Sequence, residues 1–248
     1  MRLRTIIKWE LDDPIRNLIF LVGFVLFSIS FKSNIYNISS GGSTSLNYTF
    51  QNLWTIYFTM FSSDSYLILV LTSLLISVIG IRYERDTKFA LSLYALPIKK
   101  WKISLIKFFV DIIFSYIAFF GSYLLVLIYT FSDIPKLFKE SLTVNHTIFY
   151  IVTFFLFVSL YVLSISHFVS TIAPNTFAAL LLGIVFLYLP RFLGLLDLPP
   201  YLFMQAFLHM RNPIIRKQIM ENLVLWGIFV PLLILFASLV LSEWRDVK

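Results

Sequence analysis

The chain carries few residues able to make or break bonds. Its 248 residues include no Cys and three His, so neither a disulfide framework nor a thiolate metal site can form, and no metal site is expected. Gly-x-x-x-x-Gly-Lys-Ser/Thr, His-Glu-x-x-His and Gly-x-Ser-x-Gly are all missing from the sequence, which leaves no catalytic residue to name. What remains is a handful of ionisable groups in apolar surroundings: Asp64, Asp111 one turn after Lys107, and His167 beside Ser164 and Thr171. Such groups are expensive in hydrocarbon and serve either pairing or a path. The spacing predicts a Lys107–Asp111 ion pair and a hydrogen-bonded packing role for His167. Asp64 has two readings, as a buried carboxylate if its span begins at Leu53 or as part of an N-cap cluster, Ser62-Ser63-Asp64-Ser65, if the helix begins near Tyr66.

The elements that position these groups are membrane spans. The chain is 59% hydrophobic and 13% charged, with a mean hydropathy of +0.86, far from the composition of a soluble domain. A bilayer core needs roughly 20 apolar residues per helix, and six stretches qualify, at about 16–36, 53–81, 103–131, 147–172, 175–195 and 222–242. The fold class is an all-α polytopic membrane protein forming one transmembrane domain over 1–248. Asp13 caps the first span and Pro14 takes its first position, so residues 1–13 read as a separate interfacial helix in which Leu3, Ile6, Ile7 and Trp9 mix with Arg2, Arg4 and Lys8. Residues 192–220 are apolar enough to imitate a seventh span, but Asp197 and Pro199-Pro200 oppose a full crossing. An outer re-entrant hairpin before the sixth span is the expectation.

The formal charge of +7 reads as loop charge setting orientation, not as a nucleic-acid surface. Of the 20 basic residues, most fall before span one, between spans two and three or after span six, which places both termini in the cytoplasm of a plasma membrane. The sequons at Asn37, Asn47 and Asn145 all fall in gaps that are then external. Zero Cys, basic inner loops and sequons suit a prokaryotic, specifically archaeal, surface membrane.

The inner segment 82–100, the connector between spans two and three, reads as an amphipathic helix. Glu84 and Lys88 are spaced i,i+4 in the favourable order, Phe89, Leu93 and Leu96 line one face, and Pro97 ends it. It suits either the lipid surface or a groove on a soluble partner. Here the sequence resembles the permease subunits of ABC-2 type transporters. Glu84-Arg85-Asp86-Thr87, Leu91-Ser92-Leu93, Pro97-Ile98-Lys99-Lys100 and Lys107 take the places of that family's acidic/basic cluster with Thr, Leu-rich turn, Pro, basic run and Lys entering helix three. Two features depart from the pattern: Asp86 stands where a Gly commonly precedes the Thr, and Thr87 to Pro97 is slightly longer than usual.

The resemblance implies six helices, with 82–100 as a coupling helix whose Glu84, Arg85, Thr87, Phe89, Leu93, Leu96 and Pro97 contact a separate ATP-binding cassette subunit. ATP and Mg would be bound by that subunit, since this chain has no phosphate-cradling loop. A second permease subunit, identical or different, would face this one around a path through the membrane lipid. A polar seam at spacings of three and four, formed by Thr55, Thr59, Ser62, Tyr66, Ser73 and Ser77 with Asp64 beside it, together with Thr176 and Gly183 of span five, either packs helices closely or lines that path. The cargo best suited to such seams is amphipathic or apolar. Two other classes compete: an ATP-independent carrier, which would need internal repeats not found here, and an intramembrane enzyme, which would need a partner carboxylate for Asp64.

Overall fold

The computed structural model describes residues 3–40, 63–87, 99–130, 147–195, 198, 199, 202, 203 and 221–244. It is helical, with no strand among the described residues. Helix α1 spans Leu3–Leu11 and α2 spans Pro14–Ser40. Helix α3, Ser63–Val78, continues through a π turn at Ile79–Tyr83 into a last turn at Glu84–Asp86. Helix α4, Lys100–Tyr116, passes a second π turn, Ile117–Gly121, into α5, Ser122–Thr130. Then come α6, Thr147–Ile172, and α7, Thr176–Phe192. A third π turn, Leu225–Phe229, leads into α8, Val230–Trp244.

Five of these helical stretches are long and apolar enough to cross a bilayer: Pro14–Ser33, Leu67–Asp86, Lys100–Val126, Phe155–Ile172 and Glu221–Trp244. They match the first, second, third, fourth and sixth expected spans. The fifth coincides with the shorter apolar helix Thr176–Pro190. It stops where the sequence supplies both a break and a cap: Pro190 stands in its last turns, and Gly194 adopts φ 64°. The Leu195 amide reaches back 3.0 Å to the Pro190 carbonyl, the six-to-one closure of a left-handed helix terminus. Of the expected re-entrant segment beyond it, residues 196, 197, 200, 201 and 204–220 lie outside the described residues.

The bundle is arranged around α6. It packs against α3, α4, α7 and α8, and 72% of its span is buried, against 22% for Pro14–Ser33. The core at one end is aromatic. Phe119 of the second π turn meets Phe155 at 4.1 Å and Phe27 at 4.6 Å between ring centroids, both edge to face, the arrangement that ring quadrupoles favour. Between helices, hydroxyls form the staples: Ser30 with Ser65 at 3.0 Å, Ser73 with Ser115 at 3.0 Å, and Thr171 with Ser238 at 3.1 Å. Each such bond contributes on average about 0.6 kcal/mol in a membrane bundle.

The start of α2 follows the sequence. The Ile15 amide donates 2.9 Å to the Asp13 carboxylate, so Asp13 caps the second helical position and Pro14 occupies the first. The same reversal folds α1 back under the bundle. Ile6 is fully buried with Ile76, Ile106, Val110 and Phe114, while Ile7 and Trp9 stay exposed. Four residues after Ile6, on the same face, comes Glu10, equally buried.

Candidate functional site

Glu10 belongs to a knot of charge beneath the bundle. Lys107 of α4 places its Nζ 2.7 Å from the Glu10 carboxylate and 2.8 and 2.9 Å from the two oxygens of Glu84. Arg16 of α2 meets Glu10 at 2.7 Å, Asp111 at 3.5 Å and Asp13 at 3.7 Å. The side chains of Arg16 and Asp111 are 0% exposed and those of Lys107 and Glu10 only 2% and 1%. Three buried carboxylates therefore share two buried cations, with Asp13 at the rim. Glycine makes room for them: a Cβ at Gly80, in the first π turn, would lie inside the Arg16 guanidinium.

This corrects the pairing expected from spacing. Lys107 does not satisfy Asp111; its partners are Glu10 and Glu84, and Asp111 faces Arg16. Residues four apart can meet on a helix surface, but here both point into a crowd of stronger partners from other helices. For the same reason Glu84, expected to pair with Lys88 on an exposed helix, is buried against Lys107. Arg16 and Lys107, near the starts of the first and third expected spans, are buried.

A second set of contacts faces the other way from the same helical turn. Asp86 accepts hydrogen bonds from the Thr176 amide at 2.8 Å and the Thr176 hydroxyl at 2.6 Å. Arg82 pairs with Asp86 at 2.8 Å and donates to the Pro174 carbonyl. Residues 82 and 86 share one face, and 84 points away from it. The chain's entry into the connector is thus gripped on two sides, by α1, α2 and α4 through Glu84 and the knot, and by the start of α7 through Arg82 and Asp86. Thr87 closes the turn, its amide and hydroxyl both donating to the Tyr83 carbonyl at 2.9 Å. A cavity of about 390 Å³ lies beside this root, lined by Trp9, Glu10, Asp13, Ile79, Tyr83 and Thr87 among others.

Of the connector residues expected to touch a partner, Glu84, Arg85 and Thr87 are at the root. Phe89, Leu93, Leu96 and Pro97 lie outside the described residues. Ser73 and Ser77 are fully buried within the bundle, and Gly183 is packed so tightly that a Cβ there would collide with Leu74. Thr176 is drawn to Asp86. Asp64 and Tyr66 fall within α3, their side chains undescribed, and Thr55, Thr59 and Ser62 lie outside the described residues. So do the sequons at Asn47 and Asn145, while Asn37 falls in the last turns of α2, later than the span end expected at 36. His167 takes the packing role foreseen for it: it is fully buried, 2.9 Å from the Ser104 hydroxyl and edge-on to Phe108.

Glu10 and Arg16 were not distinguished by sequence reasoning. The available signal was weak: a carboxylate four residues after a core Ile, and an arginine three residues past a helix cap. Among the described residues no cluster of His, Asp and Glu could hold a metal ion. The arrangement ties α1, α2, the last turn after α3 and α4 together through shared charges.

A family model described as ABC-2 family transporter protein matches residues 4–244. No curated protein and no solved structure matches the chain.

Proposed function

Because the chain belongs to the ABC-2 transporter family, we propose that it is the membrane-spanning permease subunit of an ATP-driven exporter, coupled to a separate ATP-binding subunit. The family is a transport component and is not itself catalytic. The observation that carries the reading is the double-sided grip on residues 82–87. A segment that only rested on lipid would not need its first turn tied to three spans and the interfacial helix.

In this reading the connector, with Phe89, Leu93 and Leu96 on its docking face, rides on the ATP-binding subunit, which holds ATP and Mg. Closure of that subunit pushes the connector as a rigid body. The Glu84–Lys107 contact passes the displacement to span three, and the knot passes it to span one and α1. A second permease copy or paralogue completes the path, which alternates between inward- and outward-open states. The cargo is amphipathic or apolar, in keeping with seams of hydroxyl and aromatic side chains and with no buried charge outside the knot among the described residues. Both termini and the connector lie in the cytoplasm.

The test is a pair of measurements on the intact chain. An ATP-binding subunit should co-purify with it, and replacing Phe89→Asp with Leu93→Asp should abolish ATP-driven transport while leaving membrane insertion unchanged. Normal transport by that double variant would remove the docking assignment.

A further inference from the structure

The resemblance that first marked the connector also marked its oddity, an aspartate where glycine commonly precedes the threonine. The structure gives that aspartate a job. The first amides of any helix lack intrahelical acceptors, and α7 has its own cap for one of them: the Ala178 amide donates 2.7 Å to the Asn175 side chain. Of the two amides before it, that of Thr176 is accepted by Asp86, from a helix 90 residues earlier in the sequence, at 2.8 Å, and Asp86 also binds the Thr176 hydroxyl at 2.6 Å. A carboxylate at a helix N-terminus is favoured by the helix dipole as well as by the bonds themselves. Arg82 completes the clasp, holding Asp86 with Nε at 2.9 Å and reaching the carbonyl of Pro174 in the turn before α7. A glycine at position 86 could make neither side-chain contact.

We propose that Asp86 is a positioning residue that fastens the inner end of span five to the connector root, so that a displacement of the connector carries span five along with spans two and three. The two sides of the root differ in kind. Glu84 and Lys107 sit in the buried knot with side chains 11% and 2% exposed, whereas Asp86 is 28% exposed and Arg82 13%. Water can replace the partners of the second pair but hardly those of the first. That role of Asp86 rests on the coupling role given to residues 82–100, but the first arm of its test does not.

That arm is hydrogen exchange on the whole chain in lipid nanodiscs. Asp86→Ala should speed exchange of the first-turn amides of α7, at Thr176 and Phe177, at least tenfold, with no change in 104–111. Asp86→Asn, whose side-chain oxygen can still accept from the Thr176 amide, should restore most of the protection. The second arm uses the chain with its ATP-binding subunit: Asp86→Ala should lower the transport obtained per ATP hydrolysed at least fivefold at unchanged ATPase rate, and Asp86→Asn should recover it. Unchanged exchange at Thr176 in the alanine variant, or equal acceleration in α4, would overturn the fastening. If exchange behaves as expected but transport per ATP does not fall, the clasp exists and its role in coupling is wrong. If no ATP-binding subunit associates with the unaltered chain, the functional reading fails and the clasp is untouched.

Discussion

Removing the cation Lys107 should do far more damage than removing the anion Asp111, although both are buried in the same knot. Lys107 serves two carboxylates at 2.7 to 2.9 Å. At that separation and an effective dielectric of about 20, each attraction is ~6 kcal/mol before desolvation is subtracted. Lys107→Met keeps the length of the side chain and deletes the charge, which strips Glu84 of both hydrogen bonds and leaves Glu10 to Arg16 alone. Breaking a buried pair in this way costs about 3–5 kcal/mol. Asp111→Asn acts in the opposite sense. Three buried carboxylates share two cations, so losing one brings the count to balance, and Arg16 keeps its shorter contact, 2.7 Å to Glu10 against 3.5 Å to Asp111. We expect less than about 1.5 kcal/mol, the value of one hydrogen bond to a charged group. Thermal unfolding of the purified chain, followed by the fluorescence of its five Trp, separates these cases. The triple variant Lys107→Met, Glu10→Gln, Glu84→Gln leaves only Arg16 and Asp111 charged at the centre of the knot and should regain most of the loss. Equal destabilisation by the two single variants, or a triple variant as unstable as Lys107→Met, would refute the charge accounting.

Other consequences follow from particular contacts. Gly80→Ala drives a methyl into the Arg16 guanidinium and should destabilise by about 1–3 kcal/mol, as overpacking does, measurable in the same unfolding assay; Gly183→Ala, against the movable end of Leu74, should cost less. His167→Ala leaves the Ser104 hydroxyl without its partner beside a new void, and should cost about 3 kcal/mol while leaving transport per ATP unchanged in the surviving protein. Glu243→Ala removes the carboxylate that accepts the Trp101 amide at 3.1 Å; loss of about 0.5–2 kcal/mol is expected, as for a helix cap, with faster amide exchange confined to the first turn of α4.

The parts of this molecule that were legible in the sequence are those set by neighbours along the chain. Asp13 and Pro14 announce the start of α2, runs of apolar residues announce five spans and the shorter fifth helix, and His167 reads as packing because nothing chemical stands near it. The knot was opaque because its members lie on four helices. Glu84 and Lys107 are 23 residues apart, and Glu10 reaches Lys107 only after α1 doubles back at Asp12 and Asp13. By periodicity Lys107 and Asp111 share one helix face and pair; Arg16 and Glu84, which take those partners, arrive from other helices. Likewise Arg16 reads as no more than the edge of a span until the fold shows it buried against Glu10 of α1. Asp86 was visible as an exception to a pattern, but its partner, 90 residues away, could be found only in three dimensions.

Two helices here have their first amides satisfied by carboxylates from elsewhere, α7 by Asp86 and α4 by Glu243, and the two cases fall in opposite temporal order. When α7 leaves the ribosome, Asp86 already exists to receive it. Glu243 is made 142 residues after Trp101, a delay of about 7–30 s at ordinary rates of synthesis. Throughout that interval the nascent third span has an unfinished first turn, open to water, chaperones or proteases. The span that ends at Trp244 is thus the one that seals the third, and a chain halted before residue 243 should be recognisable to quality control by a frayed turn at Trp101.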